Sequence, residues 1–336
     1  MRLIRCVILT LGFLFFGNST AQGLIFDEES YLQHPEVPET RSQIKSSVDF
    51  SRYVPINYPQ WGGTCVAHAF SKARGTLKNK SLYETDKVKK IANSYSPYYI
   101  YYTLTDNNDY KCQRGLNIEK AALFVLNFGC APISQVEYPN YYPFKLRFLG
   151  NPYPNSYPTS YKVDAITAKR NAFEGVFRCR NLNQIRASLS DGMVVVVGMK
   201  IPKSMKKMTG DFYKMGKYDQ GEYGHAMLVV GYSDYKYGGA FKIANSWGEK
   251  WGDNGFFWVD YKSFYRMLVA AYACTDKKRY RAELDDNPID ESALIALRAN
   301  VKEAGDADFE ELKEFKELPL SDEEIESLDA EKVKDN

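Results

Sequence analysis

The order of hydrophobic periodicities predicts an α+β chain of two lobes, helical first and strand-rich second. Between residues 65 and 128 the apolar residues recur at helical spacing. From 193 to 260 they come in short β-branched runs broken by glycines. A Tyr/Pro-rich stretch, 137–162, lies between and carries neither signal. The 336 residues suffice for such a core with extensions at both ends.

In chain order, residues 1–21 read as a secretory signal. Arg2 and Arg5 form its basic start, an apolar run follows, and Ser19-Thr20-Ala21 supplies small residues at the cleavage site. The run is too short for a comfortable membrane span, so a secreted or periplasmic protein without stable membrane insertion is expected. Residues 22–48 read as a short, polar and irregular lead-in, with His34 solvated. A loop over 49–64 carries Pro55, Pro59 and two glycines. From residue 65 to about 78, Val66, Ala69, Phe70, Ala73 and Leu77 fall on one helical stripe. A second helix should begin at Ser96-Pro97, with serine as cap and proline at the first position. A third covers 115–128, buries Ile118, Ala121, Ala122, Val125 and Leu126, and stops at Gly129. In the second half a short helix over 182–191 is followed by strands over 193–199, 225–232, 239–245 and 256–260.

The net charge of +2 hides an uneven distribution. Residues 283–336 hold 19 acidic and 6 basic side chains, and residues 1–282 hold 23 acidic and 38 basic. A basic body therefore carries an acidic tail of −13, which suggests an intramolecular attraction that salt would screen. No long Lys/Arg run appears, so nucleic acid is not the expected partner. Three scattered histidines and no Cys-x-x-Cys argue against a metal site, and no glycine-rich phosphate loop follows a strand; no cofactor is expected.

Three segments carry the chemistry. Gly62-Gly63-Thr64-Cys65-Val66-Ala67 puts a cysteine where a loop enters a helix. Gly224-His225-Ala226 puts a histidine at the head of a strand. Asn245-Ser246-Trp247-Gly248 and Trp251-Gly252 put a carboxamide beside two Trp-Gly pairs. Cys, His, Asn is the nucleophile, base and orienter order of one convergent triad. Together these segments resemble the papain-like cysteine peptidases, in a bacterial secreted form, over roughly residues 49–275.

The resemblance implies a helical left lobe over about 60–140, an antiparallel β-barrel-like right lobe over about 160–275, and a cleft between them, within a peptidase domain spanning 49–282. It implies a cysteine-type peptidase acting on peptide or protein substrates through a thioester acyl-enzyme. Cys65 would be the nucleophile, favoured as thiolate by its place at a helix start. His225 would be the base. Asn245 would orient the imidazole, with Trp247 covering their hydrogen bond. The oxyanion would meet the Cys65 backbone N–H and, in family fashion, the amide of Gln60. Gln60 stands five residues before Cys65 where the family spaces it six, and Pro59 holds the usual position. His68, one turn after Cys65, reads as packed or supporting rather than as the base. A lead-in of 22–48 leaves no room for the family's long helical inhibitory propeptide.

After signal removal five cysteines remain. Two bridges and one free thiol is the natural arithmetic for an exported chain. Four cysteines allow three pairings; keeping each within one lobe favours Cys112–Cys130 and Cys179–Cys274. Two rival readings use the same residues: a catalytically inactive papain-fold binding protein, and a transglutaminase-like acyl transferase.

Overall fold

The structure, a computed structural model, describes residues 23–39, 43–105, 109, 112–135, 165–278 and 280. The signal stretch, the 137–162 crossover and the acidic tail lie outside the described residues. The chain opens with strand β1 (Leu24–Ile25), helix α1 (Glu28–Gln33) and strand β2 (Ser47–Asp49). The helical lobe follows: α2 (Cys65–Ser81), α3 (Lys87–Ala92), α4 (Pro97–Leu104), the short β3 (Leu116–Asn117), α5 (Ile118–Asn127) and α6 (Ala165–Arg170). The second half holds β4 (Gly175–Arg178), α7 (Leu182–Ser190), β5 (Val194–Ile201), α8 (Lys203–Lys206), β6 (Phe212–Tyr213), β7 (Tyr223–Ser233), β8 (Ala240–Ala244), β9 (Phe256–Asp260), α9 (Tyr261–Met267) and β10 (Leu268–Thr275).

The expected helix starts form, although Ser96 stands at the N-cap of α4 without a side-chain capping bond. Pro97 sits in the first turn of α4. Asn117 caps α5 by accepting the Lys120 backbone N–H at 2.9 Å. The third helix thus begins at Ile118, three residues later than its hydrophobic stripe suggests.

Eight strands form one sheet in the order β4-β10-β5-β7-β8-β9-β6, with β2 paired to β7. Only the β6–β9 pair is parallel. The α+β fold forms as expected, and the sheet of its strand-rich, barrel-like lobe is not a closed barrel: it ends at β4 and β6 among the described residues. The reason lies in how it is covered. Val194 and Val196 of β5 pack with α2, α4 and α5 in one core. Val195 and Val197 join a second core with α7 and α9 on the other face. A sheet with both faces buried reads as a continuous β-branched run, as 194–197 does, and does not need to curl around its own interior.

Part of the lead-in is buried. Tyr31 is fully buried and its hydroxyl donates to the Cys179 carbonyl at 2.8 Å. His34, expected in water, is buried with Nδ1 2.6 Å from Glu119 Oε1 and Nε2 2.8 Å from the Val176 carbonyl. The Tyr272 hydroxyl donates to the other oxygen of Glu119 at 2.6 Å. This network clamps α1 to α5 and β10. Its members are polar and far apart in sequence, so periodicity does not reveal them.

All five cysteines among the described residues are buried free thiols, so neither expected bridge forms. The Cys112 sulfur lies 3.7 Å from the Tyr102 hydroxyl, whereas the backbone of Cys130 is held by the Ala168 carbonyl of α6. Cys274 faces the α2 side of the sheet and Cys179 the α7 side, because side chains alternate along strands. Among the described residues no helix is long and apolar enough to cross a membrane.

Glu119→Ala should strip two buried partners at once, His34 and Tyr272. We expect a loss of about 3 kcal/mol in urea unfolding, as for other broken buried pairs. An unchanged midpoint would show that the clamp contributes little.

Candidate active site between the lobes

Cys65 is the first residue of α2, packed where that helix lies on β5 and β7. Three backbone N–H groups, of Ala226, Val66 and Cys65 itself, face its sulfur. Ala226 is the residue that follows His225 on β7. Even so, Cys65 is fully buried, and burial pushes its thiol up to about 12.

His225 Nε2 lies 2.8 Å from Asn245 Oδ1. The same Oδ1 accepts the Ser246 backbone N–H at 2.8 Å, which fixes which end of the carboxamide is oxygen. Nε2 therefore carries hydrogen and donates, leaving the lone pair of the neutral ring on Nδ1. Trp247 stacks on the imidazole, centroids 4.9 Å apart and planes 21° from parallel. Trp251 meets Trp247 edge-on at 4.9 Å, and Phe257 supports Trp251 in turn at 5.1 Å. Gly252 permits this turn: its φ is +61°, and a Cβ there would come 2.4 Å from the Phe256 carbonyl oxygen. Burial, then nearby Lys206 and Lys72, holds His225 down to about 4 against the opposing effect of Asn245.

Gln60 belongs to the same wall. Its Nε2 donates to the Gly62 carbonyl at 2.8 Å, and its Oε1 accepts from the Ser246 hydroxyl at 2.6 Å. The amide is thus linked to the Asn245 loop and to its own turn. His68 is packed as expected, buried and edge-on to Tyr98 at 6.4 Å. Burial keeps it well below the usual imidazole range.

Two features of the site escaped sequence reasoning. Lys72 is buried beneath Asn245, and burial lowers its ammonium to about 7. The only sequence signal was its place one and two turns beyond His68 and Cys65, on the same face of α2. The second is the groove itself. β1 pairs in parallel with β3, Leu24 opposite Leu116. The Gly23 α-carbon turns to Cys65: a Cβ there would lie 2.5 Å from Sγ. Leu24 packs on Gly198 and Gly224 from the opposite wall. A propeptide of the long helical kind was not expected, yet Gly23 lies against the thiol, next to Leu24 on the opposite wall. The Gly23 carbonyl accepts from Leu116 N–H at 3.0 Å, so it points to β3 and not at the sulfur.

The papain family cysteine protease profile matches residues 67–275, beginning two residues after Cys65 and including His225 and Asn245. Among solved structures the chain is similar to xylellain, a cysteine protease from Xylella fastidiosa, with a TM-score of 0.61 and 20% identity over 77% of this chain and 97% of that one. It is also similar to the digestive procathepsin L2 proteinase of Tenebrio molitor larval midgut, with a TM-score of 0.58 and 16% identity over 76% of this chain and 78% of that one. At these identities the likeness is one of fold. A curated relative, the uncharacterized peptidase C1-like protein L477 of Acanthamoeba polyphaga mimivirus, is 34% identical over 87 residues, 24% of this chain. The chain spans 27% of that relative's length. The family match covers more than half of the residues, and on that ground this chain belongs to the papain family of cysteine proteases.

Proposed function

We propose that the chain hydrolyses peptide bonds in peptide or protein substrates, with Cys65 as nucleophile, His225 as base and Asn245 as its orienter, and that residues 23–25 hold it latent. The observation that carries this reading is the His225–Asn245 bond beneath Trp247; Cys65, at the first position of α2, supplies the thiol. With Nε2–H committed to Asn245, Nδ1 is the nitrogen left to take the thiol proton. The thiolate then attacks the substrate carbonyl and forms a thioester. The imidazolium gives its proton to the leaving amine, and the neutral ring activates the water that hydrolyses the thioester. The Cys65 N–H and the Gln60 amide supply the oxyanion donors.

Latency follows from the burial of the sulfur. A thiol pushed to about 12 is almost wholly protonated at neutral pH and is a poor nucleophile. Gly23 touches it from its α-carbon side, so the segment occupies the groove without presenting a bond to cut. The basic start and small-residue end of 1–21 support export before use, and the charge split supports an acidic tail held near the basic body.

In the full chain, Gly23→Leu should expel the segment by collision with Sγ. We expect hydrolysis of a peptide library to rise at least tenfold, and Cys65→Ser in that background to abolish it. Cleavage surviving in the serine variant would remove Cys65 as nucleophile. Equal rates with glycine and leucine at 23 would remove the plug. Alkylation by iodoacetamide gives the pH test. With Gly23 the Cys65 rate should climb only above about pH 9, as the covered thiol begins to ionise. With leucine the inflection should fall below about 8.5, the ordinary thiol value, because the rehydrated sulfur ionises beside His225.

A further inference from the structure

Lys72 reaches across from α2 to the opposite side of the site. Its Nζ donates to the Asn245 backbone carbonyl at 2.5 Å and to Asn57 Oδ1 at 2.8 Å. The other end of the Asn57 carboxamide donates to the Asn254 carbonyl at 2.8 Å. The next residue, Gly255, accepts the Asn245 backbone N–H at 2.9 Å. Both polar groups of the Asn245 peptide backbone are thereby pinned. Its N–H is held by the Trp-Gly turn and its C=O by Lys72, and Asn57 ties those two anchors together.

Burying an ammonium is costly unless something compensates it, and usually a carboxylate does. Lys72 instead spends its hydrogens on a carbonyl and a carboxamide. An amphipathic helix would place an apolar residue there at no such cost. We infer that Lys72 is a positioning residue, which fixes the Asn245 backbone so that Oδ1 meets the Nε2–H of His225, and so couples the helix carrying Cys65 to the loop that orients the base. The inference rests on the roles proposed above for His225 and Asn245.

The geometry explains why a long side chain is used. Asn245 immediately follows β8, where the ladder to β7 and β9 ends at Ala244. Beyond that point the sheet no longer holds the Asn245 carbonyl, and Lys72 takes over from below. The same helix sets the height of Cys65. A shift of α2 therefore moves nucleophile and orienter together, and a misplacement of either by about 1 Å can cost roughly 100-fold in rate.

The test uses the full chain with Gly23→Leu, so that the groove is open. Adding Lys72→Met should lower kcat at least tenfold while KM stays within twofold, because the lysine touches no substrate. Adding Lys72→Arg, which keeps donors and charge, should recover most of that loss. The imidazole Nε2–H proton resonance of His225, followed by NMR, should move upfield with methionine as its bond to Asn245 loosens. Should the methionine variant not fold, Lys72→Gln, a shorter uncharged donor, takes its place with the same expectations. A folded methionine or glutamine variant with parental kcat and an unmoved resonance would overturn the inference. A Gly23→Leu chain that is itself inactive would instead count against residues 23–25 as the plug and leave the resonance as the arbiter for Lys72.

Discussion

The start of α2 has one place to lie, against the face of β5 and β7, and the rest of the site depends on that packing. Val66, Phe70 and Ala73 share a core with Val194, Val196, Leu228 and Val230 of the sheet. That apolar contact is non-directional and would tolerate sliding on its own. What fixes the register is polar: the sulfur of Cys65 on the Ala226 N–H, and Lys72 on the Asn245 carbonyl. Burial brings helix and sheet together, and two hydrogen-bonded anchors decide which residues meet.

The N-terminal segment uses the same division of labour. Tyr31, His34 and Glu119 clamp α1 firmly to the body. Residues 23–25, upstream of the clamp, hold to the groove by the short β3 pairing and the Leu24 side chain. A strong tether carrying a weakly paired end is suited to a cover that can leave the groove while its base stays docked. The neutral state of the thiol and imidazole under that cover follows from exclusion of water, since both groups are fully enclosed.

Much of this was legible in the sequence, and the boundary between what was and was not is physical. Periodicity located α2, α5 and the central strands, because each buries one or two faces along its own length, and the proline at the first helical position located α4. The triad residues stood out because Asn245, the Trp-Gly pairs and the glycine turns form one local chemical pattern. Long-range pairing was invisible. His34 looked solvated because its partners lie at 119 and 176. The bridges looked natural by counting, yet Cys179 and Cys274 lie in the cores on opposite faces of the sheet and all five described cysteines are free. How the sheet is covered was hidden for a related reason: the sequence says which strands are buried on both sides, and not that helices supply the cover.

The charges around His225 make a last point about how the site can work. Lys72 and Lys206 both lower the tendency of the ring to take a proton, and Asn245 is a neutral acceptor. An isolated imidazolium is therefore disfavoured here. In the mechanism proposed above, a thiolate at Cys65 changes that balance, because an anion favours a protonated ring. The proton then moves within the proposed Cys65–His225 pair with little change in net charge. A carboxylate as third member would bias the ring toward permanent protonation; a carboxamide orients it and leaves protonation to the thiol.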